Sequence, residues 1–205
     1  VHNDLRLVEA RIRRELAERV LPAVYSASIP LTVAAWDAPG EPVPFEQAIA
    51  GDYIPFVVGD HWSRPWGTTW FRFSVDVPPE MSGPQLEAVI DLGFHPDAAG
   101  FQSEGLVWID GRPIQGIHPR RRGLPLPDVG PGPFTFFVEA ASNPAFPGFR
   151  SSPLGSLATA GAAPLYRLRH ATLCTRDDEA FQLLLDVDVL LGLAAALPPE
   201  EARRT

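Results

Sequence analysis

Lysine is absent from this chain: all 17 basic residues are arginine, against 25 acidic ones, for a formal net charge of −8. A basic surplus is therefore missing too, and an acidic chain has no general electrostatic attraction for nucleic acid or an anionic membrane. We read the all-arginine usage as the codon signature of a GC-rich bacterial genome rather than as chemistry. A single cysteine, Cys174, excludes an intrachain disulfide and suits a reducing cytosol. Residues 1–21 are charged throughout and lack the apolar stretch of a secretory signal. The richest apolar run, Phe181–Leu197, is broken by Asp186 and Asp188 and is too short to span a bilayer. These absences lead us to expect a cytoplasmic protein with neither nucleic acid nor membrane as a partner.

Catalytic signatures are missing as well. There is no Gly-x-Ser-x-Gly, and Gly130-Pro-Gly-Pro133 places prolines where a phosphate cradle needs N–H groups. Asp91, His95, Asp97, Glu104 and His118 are ligand-type residues, but their spacing matches no metal motif. Asp91 or Asp97 with Glu104 would serve as paired glycosidase carboxylates only at a separation of about 5–10 Å, and loop solvation explains them equally well. Arg120-Arg-Arg122 reads as a solvated loop or an ion-pairing segment. Cys174 lies in an apolar strand and reads as a small core residue. No catalytic or metal-binding residue is assigned.

What is present is proline, 23 of 205 residues, with 45% apolar residues to build a core. Proline removes a donor and breaks helices and ladders, so the body is expected to be short strands and loops. Phe71, Phe73, Val75 and Val77 alternate with Arg72, Ser74 and Asp76, the period of a sheet with one wet face. Leu86, Ala88, Ile90 and Leu92 repeat the pattern, as do Phe134, Phe136, Val138 and Ala140. Residues 31–36, 54–58, 106–109 and 171–175 are further strands, the third ending in the hairpin signal Asp110-Gly111. Phe45–Ala50 is one short helical turn. Seven or so short strands between Gly/Pro turns predict a β-sandwich.

Helices flank it. Residues 4–21 carry Leu5, Val8, Ile12, Leu16 and Val20 at helical spacing, with Asn3 or Asp4 as cap and Pro22 as terminator. Residues 177–197 form a second helix capped by Asp177, apolar nearly all round and therefore in need of neighbours. The expected division is a helix over 1–24, a sandwich over 25–176, and a closing helix over 177–205.

Four of the five tryptophans fall in residues 62–71 and 104–116. Aromatic faces stack on sugars but also dominate cores. Trp62, beside His61 and Arg64, is expected to be the exposed ring, and Trp62, Arg64 and Trp66 form the candidate carbohydrate-binding set.

The ordered segments Pro65-Trp-Gly-Thr-Thr-Trp-Phe71, Ala88-Val-Ile-Asp-Leu-Gly93, Glu104-Gly-Leu-Val-Trp108, Gly111-Arg-Pro-Ile-Gln-Gly116, Phe137-Val-Glu-Ala-Ala-Ser-Asn143 and Phe181-Gln-Leu-Leu-Leu-Asp186 resemble the N-terminal, non-catalytic region of bacterial glycoside hydrolase family 38 α-mannosidases. The resemblance implies a mostly β, galactose-binding-like sandwich (a jelly roll) with N- and C-terminal helices. It implies an accessory role beside a zinc-dependent, retaining α-mannosidase domain that follows in the same polypeptide. That domain's opening motif is not found here, so no catalytic residue carries over, and zinc is expected only in the domain that follows. The implied partners are that catalytic domain, a second copy of the chain in a homo-oligomer, and mannoside glycans. The alternative expectation is a free-standing carbohydrate-binding module.

Overall fold

The structure is a computed structural model describing residues 5–40, 43–94, 104–144 and 161–197. Two compact units form, one from Ile29 to Leu173 and one from the chain ends, up to Ser28 and from Cys174 onward.

Alternation writes the architecture of the strands. The six-stranded sheet has the order β3-β2-β5-β10-β7-β8: β2 is Thr32–Asp37, β3 Ile54–Pro55, β5 Thr68–Val77, β7 Gly105–Ile109, β8 Arg112–Ile117 and β10 Gly132–Ala141. The long central pair β5 and β10 is antiparallel over ten residue pairs, from Gly132 opposite Val77 to Ala141 opposite Thr68. The second sheet runs β1-β12-β6-β9, where β1 is Tyr25–Pro30, β6 Leu86–Asp91, β9 Gly123–Pro125 and β12 His170–Arg176. A two-stranded ribbon pairs β4 (His61–Trp62) with β11 (Tyr166–Arg167). Phe71, Phe73, Phe136 and Val138 from the first sheet share one core with Leu86, Ala88, Ile90, Leu124 and Leu173 from the second. Two sheets closing on alternating inward residues make a β-sandwich, and the β7–β8 hairpin turns at Asp110 (φ 49°) and Gly111 (φ 74°), as the Asp-Gly signal requires.

The wet face expected of the Phe71 strand is only half wet. Arg72 and Asp76 are exposed, but Trp70, on their side of the sheet, is fully buried. The reason is the five-residue helix α3 (Phe45–Ile49), which lays Phe45 across that face. The short strand expected over 54–58 pairs only at Ile54 and Pro55.

In the smaller unit, α1 (Leu5–Glu15) continues through a π-helical stretch, Leu16–Val20, into a last turn, α2 (Leu21–Ala23). Pro22 therefore lies inside the helix rather than ending it. The Leu21 N–H reaches back to the Leu16 carbonyl, a wider closure that restarts the ladder where proline's missing N–H is tolerated. The expected caps Asn3 and Asp4 lie outside the described residues. Helix α4 (Asp178–Ala196) starts where predicted: the Asp177 carboxylate accepts the Ala180 N–H at 2.9 Å. Its stripe of Leu184, Val187, Leu191 and Ala194 is turned inward, and α4 packs against the π stretch and α2. The rest of its apolar surface is open: Leu183, Leu185, Val189, Leu190 and Leu193 are all 43–68% exposed. No helix among the described residues is long and apolar enough to cross a membrane.

Candidate functional site

The tryptophans gather in two places, both within the Ile29–Leu173 unit. At the ribbon corner, Trp62 is 2% exposed, which corrects the expectation that it is the surface ring. Strand alternation explains the difference: in β4 the exposed residue is His61, held 2.9 Å from the Arg167 guanidinium, and its neighbour Trp62 turns inward. There the indole stacks on Tyr166 with centroids 5.6 Å apart, meets Phe71 and Phe94 edge-on, and donates its N–H to the Leu92 carbonyl at 2.9 Å. Of the candidate set, Arg64 is exposed and Trp66 is half-buried. Trp66 (φ 64°) and Ser63 (φ 48°) both occupy the left-handed region, uncommon for non-glycine residues. Hydrogen bonds to Ser142 pin the corner, Trp66 N–H to the Ser142 carbonyl and Ser142 N–H to the Gly67 carbonyl. The three residues do not make a joint stacking surface, because the Trp62 ring belongs to the core.

The second place is the outer face of the six-stranded sheet, which sequence reading missed. Register sets its residues in two rows. Trp108, Phe137 and Arg72 lie opposite one another across β7, β10 and β5, and Leu106, Glu139, Trp70 and Trp36 make the next row, which extends to β2. Phe45 covers the rows: it stacks on Trp108 at 5.1 Å and 23°, and meets Trp70 and Phe137 edge-on at 6.1 and 5.9 Å. Tyr53 sits on Phe137 at 5.9 Å, and the Arg72 guanidinium lies 4.9 Å from the Tyr53 ring centroid. Three polar atoms in this cluster are buried without a hydrogen-bond partner: Trp70 Nε1, Trp108 Nε1 and the Tyr53 hydroxyl. Each such group costs about 1–3 kcal/mol. Burial pushes the Tyr53 phenol up from 10.0 to about 12, the Arg72 charge pulling the other way. Chemically the face offers flat apolar rings, unmet donors, and one exposed cation beside one half-exposed carboxylate.

Some of the remaining candidates have structural partners. The Asp91 carboxylate pairs with Arg122 at 3.2 Å and accepts the Gly93 N–H at 2.8 Å. Arg121 donates to the Gln115 side-chain oxygen at 2.9 Å. The triple arginine is thus partly tied down within its own domain, and Asp91 ends β6 of the second sheet whereas Glu104 immediately precedes β7 of the first. His95 and Asp97 lie outside the described residues. Cys174 is buried in β12, as expected. Among the described residues no group of three or more His, Cys, Asp or Glu side chains could hold a metal ion. A groove of about 540 Å³ opens at the sandwich edge, lined by prolines, Ile114, Phe134, Asp110 and Asp128.

The segment that forms the sandwich has a match. The family described as "Alpha-mannosidase, jelly roll domain" matches residues 29–174. The chain belongs to that family. Human Alpha-mannosidase 2C1 is 29% identical over 187 residues, covering 88% of this chain and 17% of the relative; its mouse counterpart is 28% identical over the same length. Alpha-mannosidase G of Dictyostelium discoideum is 22% identical over 171 residues, covering 80% of this chain and 15% of the relative. This jelly roll chain therefore spans less than a fifth of the length of the curated relatives it matches. The matched segment coincides closely with the sandwich and leaves α1 and α4 outside it.

Proposed function

We propose that this chain is the N-terminal accessory domain of a bacterial glycoside hydrolase family 38 α-mannosidase, and that it acts by docking on the catalytic domain. The family match over residues 29–174 carries this reading. The parent activity is the cytoplasmic, zinc-dependent, retaining hydrolysis of α-mannosides, with zinc and the reacting carboxylates supplied by the catalytic domain.

The docking surface is α4. Leu183, Val189, Leu190 and Leu193 are each at least half exposed, on a helix whose other stripe is already packed. Exposed apolar surface of this kind marks an interaction site. The occupant we infer is the catalytic domain itself, because the matched proteins that bear the name α-mannosidase are roughly five times longer than this chain.

The test is co-expression of this chain with the catalytic segment encoded downstream of the Thr205 codon. A stable complex that hydrolyses a chromogenic α-mannoside is expected. Val189→Asp with Leu190→Asp is expected to abolish co-purification and leave the melting of the isolated chain within about 1 kcal/mol of its original stability, the range of surface substitutions. A downstream region without such a domain, or a complex indifferent to the α4 double variant, refutes the proposal. A second reading, a carbohydrate-binding module, draws on Arg64 and Trp66 at the surface, but the buried Trp62 leaves that set with a single ring.

A further inference from the structure

We propose that the outer face of the six-stranded sheet is a binding platform for a neutral pyranoside, with Phe45 as its displaceable cover. An aromatic cluster that serves packing alone can be built from phenylalanine and leucine. This one holds Trp70 and Trp108, ring centroids 5.8 Å apart, with both Nε1 atoms buried and without acceptors, and Tyr53, joined to it through Phe137, has a buried hydroxyl that also lacks a partner. Buried polar groups in native proteins are paired in the great majority, so three exceptions in one cluster call for a partner that brings acceptors to flat rings. A pyranose has that composition: a C–H face that stacks on an indole and a rim of hydroxyls that accept and donate.

The rim chemistry fits as well. Arg72, exposed, stands beside Phe137, and Glu139, half-exposed, stands beside Trp70. A guanidinium donates to sugar oxygens and a carboxylate accepts from sugar hydroxyls. One charge of each sign selects for a neutral ligand over an anionic or a cationic one.

Phe45 occupies the place of the sugar. Its ring lies on Trp108 at 5.1 Å and 23°, the parallel arrangement a pyranose face would adopt. The element that carries it is slight: α3 has five residues, and its N-cap, Pro44, provides no side-chain hydrogen bond. Opening it gives up the Phe45 ring contacts and uncovers the fully buried Ala48, so the cover is displaced only when a ligand replaces those contacts. When Phe45 lifts, the Trp108 face on which it stacks and the Trp70 and Phe137 rings that it meets edge-on are uncovered. This platform does not depend on the docking role of α4 and survives the failure of that role.

The experiment titrates the full 205-residue chain with methyl α-mannoside, methyl β-glucoside, methyl β-galactoside and a linear α-mannotriose, following intrinsic tryptophan fluorescence. Phe45→Ala, Arg72→Ala and Glu139→Ala are titrated alongside, each with its thermal melt recorded. A saturable change with at least one sugar is expected. Arg72→Ala or Glu139→Ala should weaken it about tenfold, the loss typical of a hydrogen bond to a charged group, and Phe45→Ala should tighten it. If Phe45→Ala loses its cooperative melt, Phe45→Leu replaces it. The proposal is overturned if no sugar gives a saturable change in either the parent chain or the folded Phe45 variant. Binding unaffected by both Arg72→Ala and Glu139→Ala also overturns it.

Discussion

Replacing Tyr53 by phenylalanine removes one oxygen atom and should make the chain more stable. The ring keeps every contact that packs it: Phe137 at 5.9 Å, Trp36 at 6.4 Å and the Arg72 guanidinium 4.9 Å from its centroid. What disappears is a buried hydroxyl with no partner. Burying a hydroxyl unpaired costs about 1–3 kcal/mol in mutational series. Losing the few dispersion contacts of one oxygen returns a few tenths of that. A net gain of about 1 kcal/mol follows, or roughly 2–4 °C in melting temperature for a chain of this size.

The pH dependence sharpens the test. Burial raises the Tyr53 phenol from 10.0 to about 12 in the folded state. Below the unfolded value both states hold the proton and pH has no effect. Between the two values the unfolded chain releases its proton and the folded one retains it, so stability falls as pH rises through the folded value. Phenylalanine has no such proton, and the advantage of Tyr53→Phe should widen above pH 10. Tyr166→Phe is the control of opposite sign, because the Tyr166 hydroxyl donates to the Asn143 carbonyl; removing it should cost about 1 kcal/mol. Urea denaturation followed by fluorescence, at neutral pH and across the alkaline range, measures both. A Tyr53→Phe chain less stable than the parent, or one with an identical alkaline decline, would refute the reasoning.

Two substitutions test the framework around the sites. Gly93 has φ 86°, and a Cβ there would lie 2.2 Å from the Arg167 carbonyl oxygen, which is backbone in β11; Gly93→Ala should cost about 3 kcal/mol or more, read by urea denaturation. Asp177→Ala removes the acceptor for the Ala180 N–H at the start of α4; the expected loss is about 1 kcal/mol, with reduced helical circular dichroism.

Local chemistry made much of the fold legible. Phe71, Phe73 and Val77 announce an inward face through their spacing alone, Asp110-Gly111 announces a turn through its tolerance of positive φ, and Asp177 announces a helix start through its carboxylate. Each signal is carried by residues within one element. Most of the misses depend on what another segment brings, and one on a local change of helix type. Trp62 sits between polar neighbours in sequence, yet β4 pairing with β11 sets it against Tyr166 and the core. Trp70 is buried by Phe45, 25 positions earlier in the chain, which no strand pattern encodes. Pro22 fails to stop its helix because the preceding turn widens to a π closure. The outer-face cluster was invisible for the same reason: Phe45, Tyr53, Trp70, Trp108 and Phe137 come from four separate elements and a loop, and only the sheet register brings them together.

The stability argument and the binding argument meet at that cluster. If phenylalanine at position 53 is the more stable choice, packing alone gives no reason for the tyrosine, and the same reasoning applies to the unpaired indole nitrogens of Trp70 and Trp108. Natural chains retain destabilising groups chiefly where function needs them. The two measurements are therefore coupled. Tyr53→Phe should gain stability and lose sugar affinity together if the phenol meets a ligand hydroxyl. A variant that gains stability and leaves a real sugar affinity untouched would remove the phenol from the platform and leave the two indoles to carry it.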